Sequence, residues 1–114
     1  MTDKPILMRS GDEKSRTQKP GKLFRLMIKS EKIEAIIAEI EPHTSSRWYK
    51  HGGEELHYVL EGEIEYDVGE KSYKLHKGDL LWHKSNIEHR AKNISDKKSN
   101  MKFSLIIPMF EEEG

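Results

Sequence analysis

The chain contains no cysteine, which excludes disulfides, thiolate metal sites and thiol nucleophiles and leaves histidine and carboxylate as its metal-ligating side chains. It also lacks a charge bias. Its 20 basic residues are matched by 20 acidic ones, so no net field draws it to nucleic acid or anionic lipid, and neither is expected as a partner. No apolar run approaches the roughly 18 residues of a membrane helix, and no apolar stretch of signal-peptide length opens the chain. The expectation is a soluble cytoplasmic protein. At 114 residues there is material for one core and one domain.

What is present concentrates in His51-Gly-Gly-Glu-Glu-Leu-His57, two imidazoles and two carboxylates around a pair of glycines. On one extended strand, a rise of about 3.3 Å per residue would hold the backbones of His51 and Glu55 roughly 13 Å apart, whereas metal bonds to nitrogen and oxygen are only about 2.0 to 2.2 Å long. A helix would bring positions i and i+4 together, but each interior glycine costs it about 1 kcal/mol relative to alanine. Glycine reaches backbone conformations closed to other residues, so Gly52-Gly53 can fold the chain back and bring Glu55 up to His51. Beyond that turn Glu55, His57 and Val59 alternate along a strand and share one face.

Residues 1 to 21 form a polar lead-in whose apolar piece, Ile6-Leu-Met8, offers an edge strand. From residue 22 to about 110, short apolar runs are separated by turn signals at Pro42, Gly52-Gly53, Gly62, Gly69-Glu70, Gly78-Asp79, Asn86 and Asn93. Strands at roughly ten-residue spacing suggest an all-β sandwich or barrel. In Glu31 to Glu41, Ile33, Ile36, Ile37 and Ile40 fall at helical spacing; the β texture on both sides and the nearby Pro42 favour a strand. Glu63 to Val68 and Ser72 to His76 alternate around a tight turn at Gly69-Glu70, with Ile64, Tyr66 and Val68 facing inward. Leu80 to His83 and Met101 to Ile107 read as further strands, and Glu111 to Gly114 as an acidic tail.

From Pro42 to about Pro108 the sequence resembles the single-domain cupins, small all-β barrels of the double-stranded β-helix or jelly-roll type. The first cupin motif is H-x-H, three or four residues, Glu, six residues, Gly, and it is matched by His51, Glu55 and Gly62, with Tyr49 at the first histidine's place. In the second motif Gly78, His89 and Asn93 are in register, while Lys84 and Asn86 replace the usual proline and glycine. Carried over by position, the resemblance implies a divalent metal held by His51, Glu55 and His89. Two imidazoles and one carboxylate suit iron(II) and leave positions open, with manganese, nickel or zinc as alternatives.

Tyr49 and His57 share the inward parity and are candidates for a fourth ligand or a proton-handling catalytic group beside the metal; a polar lining residue with no role in chemistry is the plain alternative. Arg47, two residues before Tyr49, is a candidate to pair with a substrate carboxylate or phosphonate, and His83 a candidate to face the cavity. Trp48, Trp82, Phe103 and Phe110 read as packing residues or a dimer face, Phe103 also as a barrel wall with Val59, Ile64 and Tyr66, and Arg90 as outward-pointing. His43 and His76, at turns, read as solvent-facing. The resulting expectation is a homodimeric, metal-binding barrel that acts as an enzyme on a small polar or acidic molecule. The alternative is a binding or sensing module, because the chain also resembles the ligand-sensing cupin half of bacterial transcription regulators but lacks a helix pair to read DNA.

Overall fold

A computed structural model describes residues 4–97 and 101–107. Among them there is no helix, only strands paired antiparallel, as the alternating texture implies. One sheet has six strands in the order β1 (Ser15–Lys19), β2 (Lys22–Lys29), β3 (Glu34–Ile40), β10 (Met101–Ile107), β5 (Glu54–Glu61) and β8 (Leu80–Lys84). The other has four, in the order β4 (Thr44–Ser45), β9 (His89–Asn93), β6 (Glu63–Val68) and β7 (Lys71–His76). The two sheets enclose a core of Ile40, Val59, Ile64, Tyr66, Leu75 and Ala91.

Glu31 to Glu41 is a strand despite its helical spacing. β3 lies between β2 and β10 and is hydrogen-bonded on both edges, and its burial shows no clean alternation because apolar residues occupy both of its faces. The β6–β7 hairpin turns at Gly69-Glu70, and Ile64 and Tyr66 are buried with Val68 packed against them. The edge strand of the lead-in is Ser15–Lys19 rather than Ile6-Leu-Met8, where Ile6 and Leu7 are exposed outside any strand. Ser15 to Lys19 instead pairs in register with Lys22 to Leu26 through a tight turn at Pro20-Gly21. Gly21 needs its missing side chain: φ is +74°, and a Cβ there would sit 2.6 Å from Thr44 Oγ1.

Other expectations are corrected by parity. In β10, Lys102 and Ser104 are buried, so Phe103 between them turns to the outer face and is not a barrel wall. A register shift between Met101 and Lys102 against β5 sets Lys102 opposite Val59 and Ser104 opposite His57. Val59 and Ile64 are core residues away from the cavity lining. Trp48 and Trp82 are exposed and do not pack in the core; Trp48 lies beneath the Arg90 guanidinium, and Trp82 donates its indole N–H to Glu54. Phe110 and the acidic tail lie outside the described residues.

Candidate metal centre

The Gly52-Gly53 turn does what the spacing requires. Gly53 adopts φ +102°, β5 begins at the next residue, and Glu55 returns to within 2.8 Å of His51 Nε2. Glu55, His57 and Val59 are all buried on the inner face of β5, as their parity demands. His89 comes from the opposite sheet: β9 pairs with β6, and a bridge to Tyr49 holds His89 across from β5.

The Glu55 carboxylate is the hub. Its Oε2 faces His51 Nε2 at 2.8 Å and His89 Nε2 at 3.2 Å and accepts a hydrogen bond from the buried Ser85 hydroxyl at 3.0 Å. Its Oε1 lies 3.1 Å from His57 Nε2 and 3.8 Å from His83 Nε2. The ligand atoms of His51, Glu55 and His89 all fall within 4.8 Å of one another, and so do those of Glu55, His57 and His83.

Hydrogen bonding separates the two sets. His51, His83 and His89 each donate Nδ1–H to a backbone carbonyl, of Gly52 at 3.0 Å, Lys84 at 2.9 Å and Ile87 at 2.7 Å, which turns their Nε2 atoms toward Glu55. That outer contact is the one metal-binding histidines generally make. His57 is different. Lys102, able only to donate, gives a hydrogen bond to Ser104 Oγ at 2.8 Å, and His57 Nδ1 lies within hydrogen-bond distance of both Ser104 Oγ at 2.7 Å and the Tyr66 hydroxyl at 3.0 Å. Its Nε2 lies 3.1 Å from Glu55 Oε1 and 3.1 Å from His83 Nε2. Both ring nitrogens of His57 are thus held by protein groups, whereas His51 and His89 line the cavity with Nε2 turned to Glu55.

Titration follows from the same contacts. Burial alone would push the Glu55 carboxyl up, but the hydrogen bonds and charge of His57 and His89 outweigh it and hold the group far below the usual carboxylate range. Burial, reinforced by the charge of Lys102, brings His57 down to about 3 and keeps it neutral. Burial also lowers His83, whereas for His89 it is overcome by the Glu55 carboxylate, which raises that imidazole. Tyr66, whose ring stacks on His57 at 4.2 Å, is raised by burial and by Glu55 and stays a phenol.

The hub opens into a cavity of about 340 Å³. Its walls include Phe24, Ile36, Ile40, Ala91 and Ile106, and its polar end carries Tyr49, His51, Glu55, His57 and His89. Tyr49 is thus beside His89 on the cavity wall. Arg47 is exposed and not part of the lining; its guanidinium lies 5.3 Å over the Tyr49 ring. His83 is buried behind His57 rather than on the cavity wall. Arg90 ion-pairs with Asp67 at 2.8 Å and also borders the cavity, more inward than its parity suggests. His43 and His76 are exposed, paired with Asp96 and Glu63. Ser85, Lys102 and Ser104 are additional members of the site that the motifs do not mark.

A cupin-domain family model matches residues 36–107, more than half of the chain. The chain belongs to the cupin family. Solved structures agree on the fold of this cupin. KdgF from a Halomonas species superposes with a TM-score of 0.81 at 14% identity, over 95% of this chain and 97% of that one. A predicted oxalate decarboxylase from Thermotoga maritima gives 0.73 at 22% identity, over 91% and 100%. The cupin domain of an XRE-family transcriptional regulator from Enterobacter cloacae gives 0.72 at 17% identity, over 79% and 99%. No protein of curated function matches the sequence.

Proposed function

We propose that this cupin is a small metal-dependent enzyme that acts on a polar or acidic small molecule inside the barrel, with His51, Glu55 and His89 as metal ligands. The observation that carries the reading is the arrangement around Glu55 Oε2, where two imidazoles present Nε2 while their Nδ1 atoms are tied to backbone carbonyls. A divalent ion held there, with iron(II) favoured and manganese, nickel and zinc as other fits, would supply Lewis-acid chemistry beside the cavity.

The chain's own groups divide the remaining work. Ser85 and His57 hold the carboxylate from two sides, so His57 is a positioning residue whose two ring nitrogens are already engaged. Tyr49 is on the cavity wall beside His89, where its hydroxyl is the group suited to give or take a proton from a bound ligand. In this reading Arg47, whose guanidinium lies over the Tyr49 ring, meets the acid group of an incoming ligand, and His83 fixes His57 from behind. The same chain forms a homodimer in this reading, through the exposed edge strand β8 with Leu80 and Trp82.

The test combines metal analysis of tagless protein with oxygen uptake and product analysis on small carboxylic acids. Metal-dependent turnover supports the enzyme. Tight binding without turnover assigns the cavity to sensing, and a chain that binds no metal and no ligand removes both. Light scattering at micromolar concentration checks the dimer, which a monomeric mass would exclude.

A further inference from the structure

Lys102 is a buried cation with no carboxylate at ion-pair distance among the described residues, the charge of Glu55 across the site only partly offsetting its burial. Its residue is 7% exposed, its ammonium donates to Ser104 Oγ at 2.8 Å and lies 5.1 Å over the Tyr66 ring, and it takes part in no ion pair among the described residues. An ammonium withdrawn from water is unfavourable unless hydrogen bonds and a counter-charge replace its hydration. Ser104 and the ring satisfy part of that need, since a lysine has three N–H donors and Ser104 takes one. The open side of the group is the cavity, whose wall Lys102 forms together with His51, Glu55 and His89.

The balance of charge around that cavity is one-sided. Glu55 is the one carboxylate among the described residues that line it, against Lys19, Lys22, Arg90 and Lys102. Arg90 is neutralised by Asp67, and Lys22 donates to the Ser45 carbonyl. At the inner end Glu55 is committed to the imidazoles, so any cation bound there leaves Lys102 without compensation. Burial lowers the ammonium to about 8, which leaves it mostly charged at neutral pH.

We infer that Lys102 anchors the carboxylate of a small anionic ligand in this cavity, its free N–H donors meeting the carboxylate oxygens while Ser104 holds the ammonium in place. The inference rests on the reading of the cavity as a ligand site and adds what the ligand must carry. Tyr66 beneath the ammonium and Ile106 on the same wall favour a ligand with a short apolar body behind its charge.

The experiment is calorimetric titration of the full chain with butanoate, succinate, the neutral butanamide and inorganic phosphate, once after EDTA treatment and once loaded with manganese. Butanoate or succinate should bind at least tenfold more tightly than butanamide in both forms. Lys102→Met should lose at least tenfold of that affinity in the EDTA-treated form while its circular dichroism stays native, and Ser104→Ala, the second variant, should lose less. Equal carboxylate binding by Lys102→Met, absence of carboxylate binding in the native protein, or preference for phosphate would each overturn the inference. Failure of the metal reading looks different: manganese does not bind, yet Lys102-dependent carboxylate binding persists in the EDTA-treated protein.

Discussion

Asp67→Asn loosens the strand that carries His89, by an amount the structure allows us to work out. Asp67, on β6 and 6% exposed, accepts hydrogen bonds from Arg90 at 2.8 Å and Lys92 at 3.0 Å, both on β9, and from Ser72 at 2.6 Å. Burial would push its carboxyl up, but these three partners outweigh burial and bring it from 3.8 down to about 2. At about 1.4 kcal/mol per tenfold change in proton affinity, the folded state gains about 2 kcal/mol from the ionised group at pH 7. Hydrogen bonds to charged groups, typically about 1.5 to 3 kcal/mol each, make that size reasonable. Because the folded value lies below the unfolded one, this stability is present above pH 4 and is lost as the pH falls toward 2. Urea denaturation of the native protein and Asp67→Asn at pH 7, 5 and 3 should show a deficit of about 2 kcal/mol at pH 7, unchanged at pH 5 and about half as large at pH 3. A deficit below about 0.5 kcal/mol at pH 7, or one that does not shrink by pH 3, would refute the reasoning.

Lys102→Met should stabilise the metal-free, ligand-free protein by about 3 kcal/mol at pH 7, since burial brings the ammonium from 10.5 to about 8. Between those values the unfolded chain binds more protons, so native stability rises with pH and the advantage of Met disappears above about pH 10.5; urea titrations at pH 7 and 10 on EDTA-treated protein check both. Gly21→Ala should cost about 2 kcal/mol or more, from the left-handed backbone and the Cβ contact with Thr44, read as a fall of several degrees in melting temperature. A melting temperature equal to that of the native protein would contradict the tightness of that turn.

Much of the site was legible because its elements are local. The two glycines, the alternation through Glu55, His57 and Val59, and the spacing of Gly78, His89 and Asn93 each act over a few residues, and the fold keeps them. The inner wall of β10 was not legible. In Met101 to Ile107 the apolar residues at 101, 103, 105 and 107 suggest an inward face by the usual rule, yet Lys102 and Ser104 point inward because they complete the hydrogen-bonded path to His57. The register opposite β5, a non-local quantity set by a bulge, decides it. His57 illustrates the same limit, since parity placed it inside, whereas its role depends on Ser104 from 47 residues away.

The central claim is that His51, Glu55 and His89 hold a divalent ion, and equilibrium metal titration of tagless, EDTA-stripped protein tests it most directly. The native chain should bind one equivalent of iron(II) or manganese. Outer hydrogen-bond partners typically change metal affinity by about 10- to 100-fold, so His51→Ala and His89→Ala should lose more than about a hundredfold, and His83→Ala about tenfold or less. Native protein that binds no ion, or His83→Ala that abolishes binding while His51→Ala leaves it intact, would contradict the account.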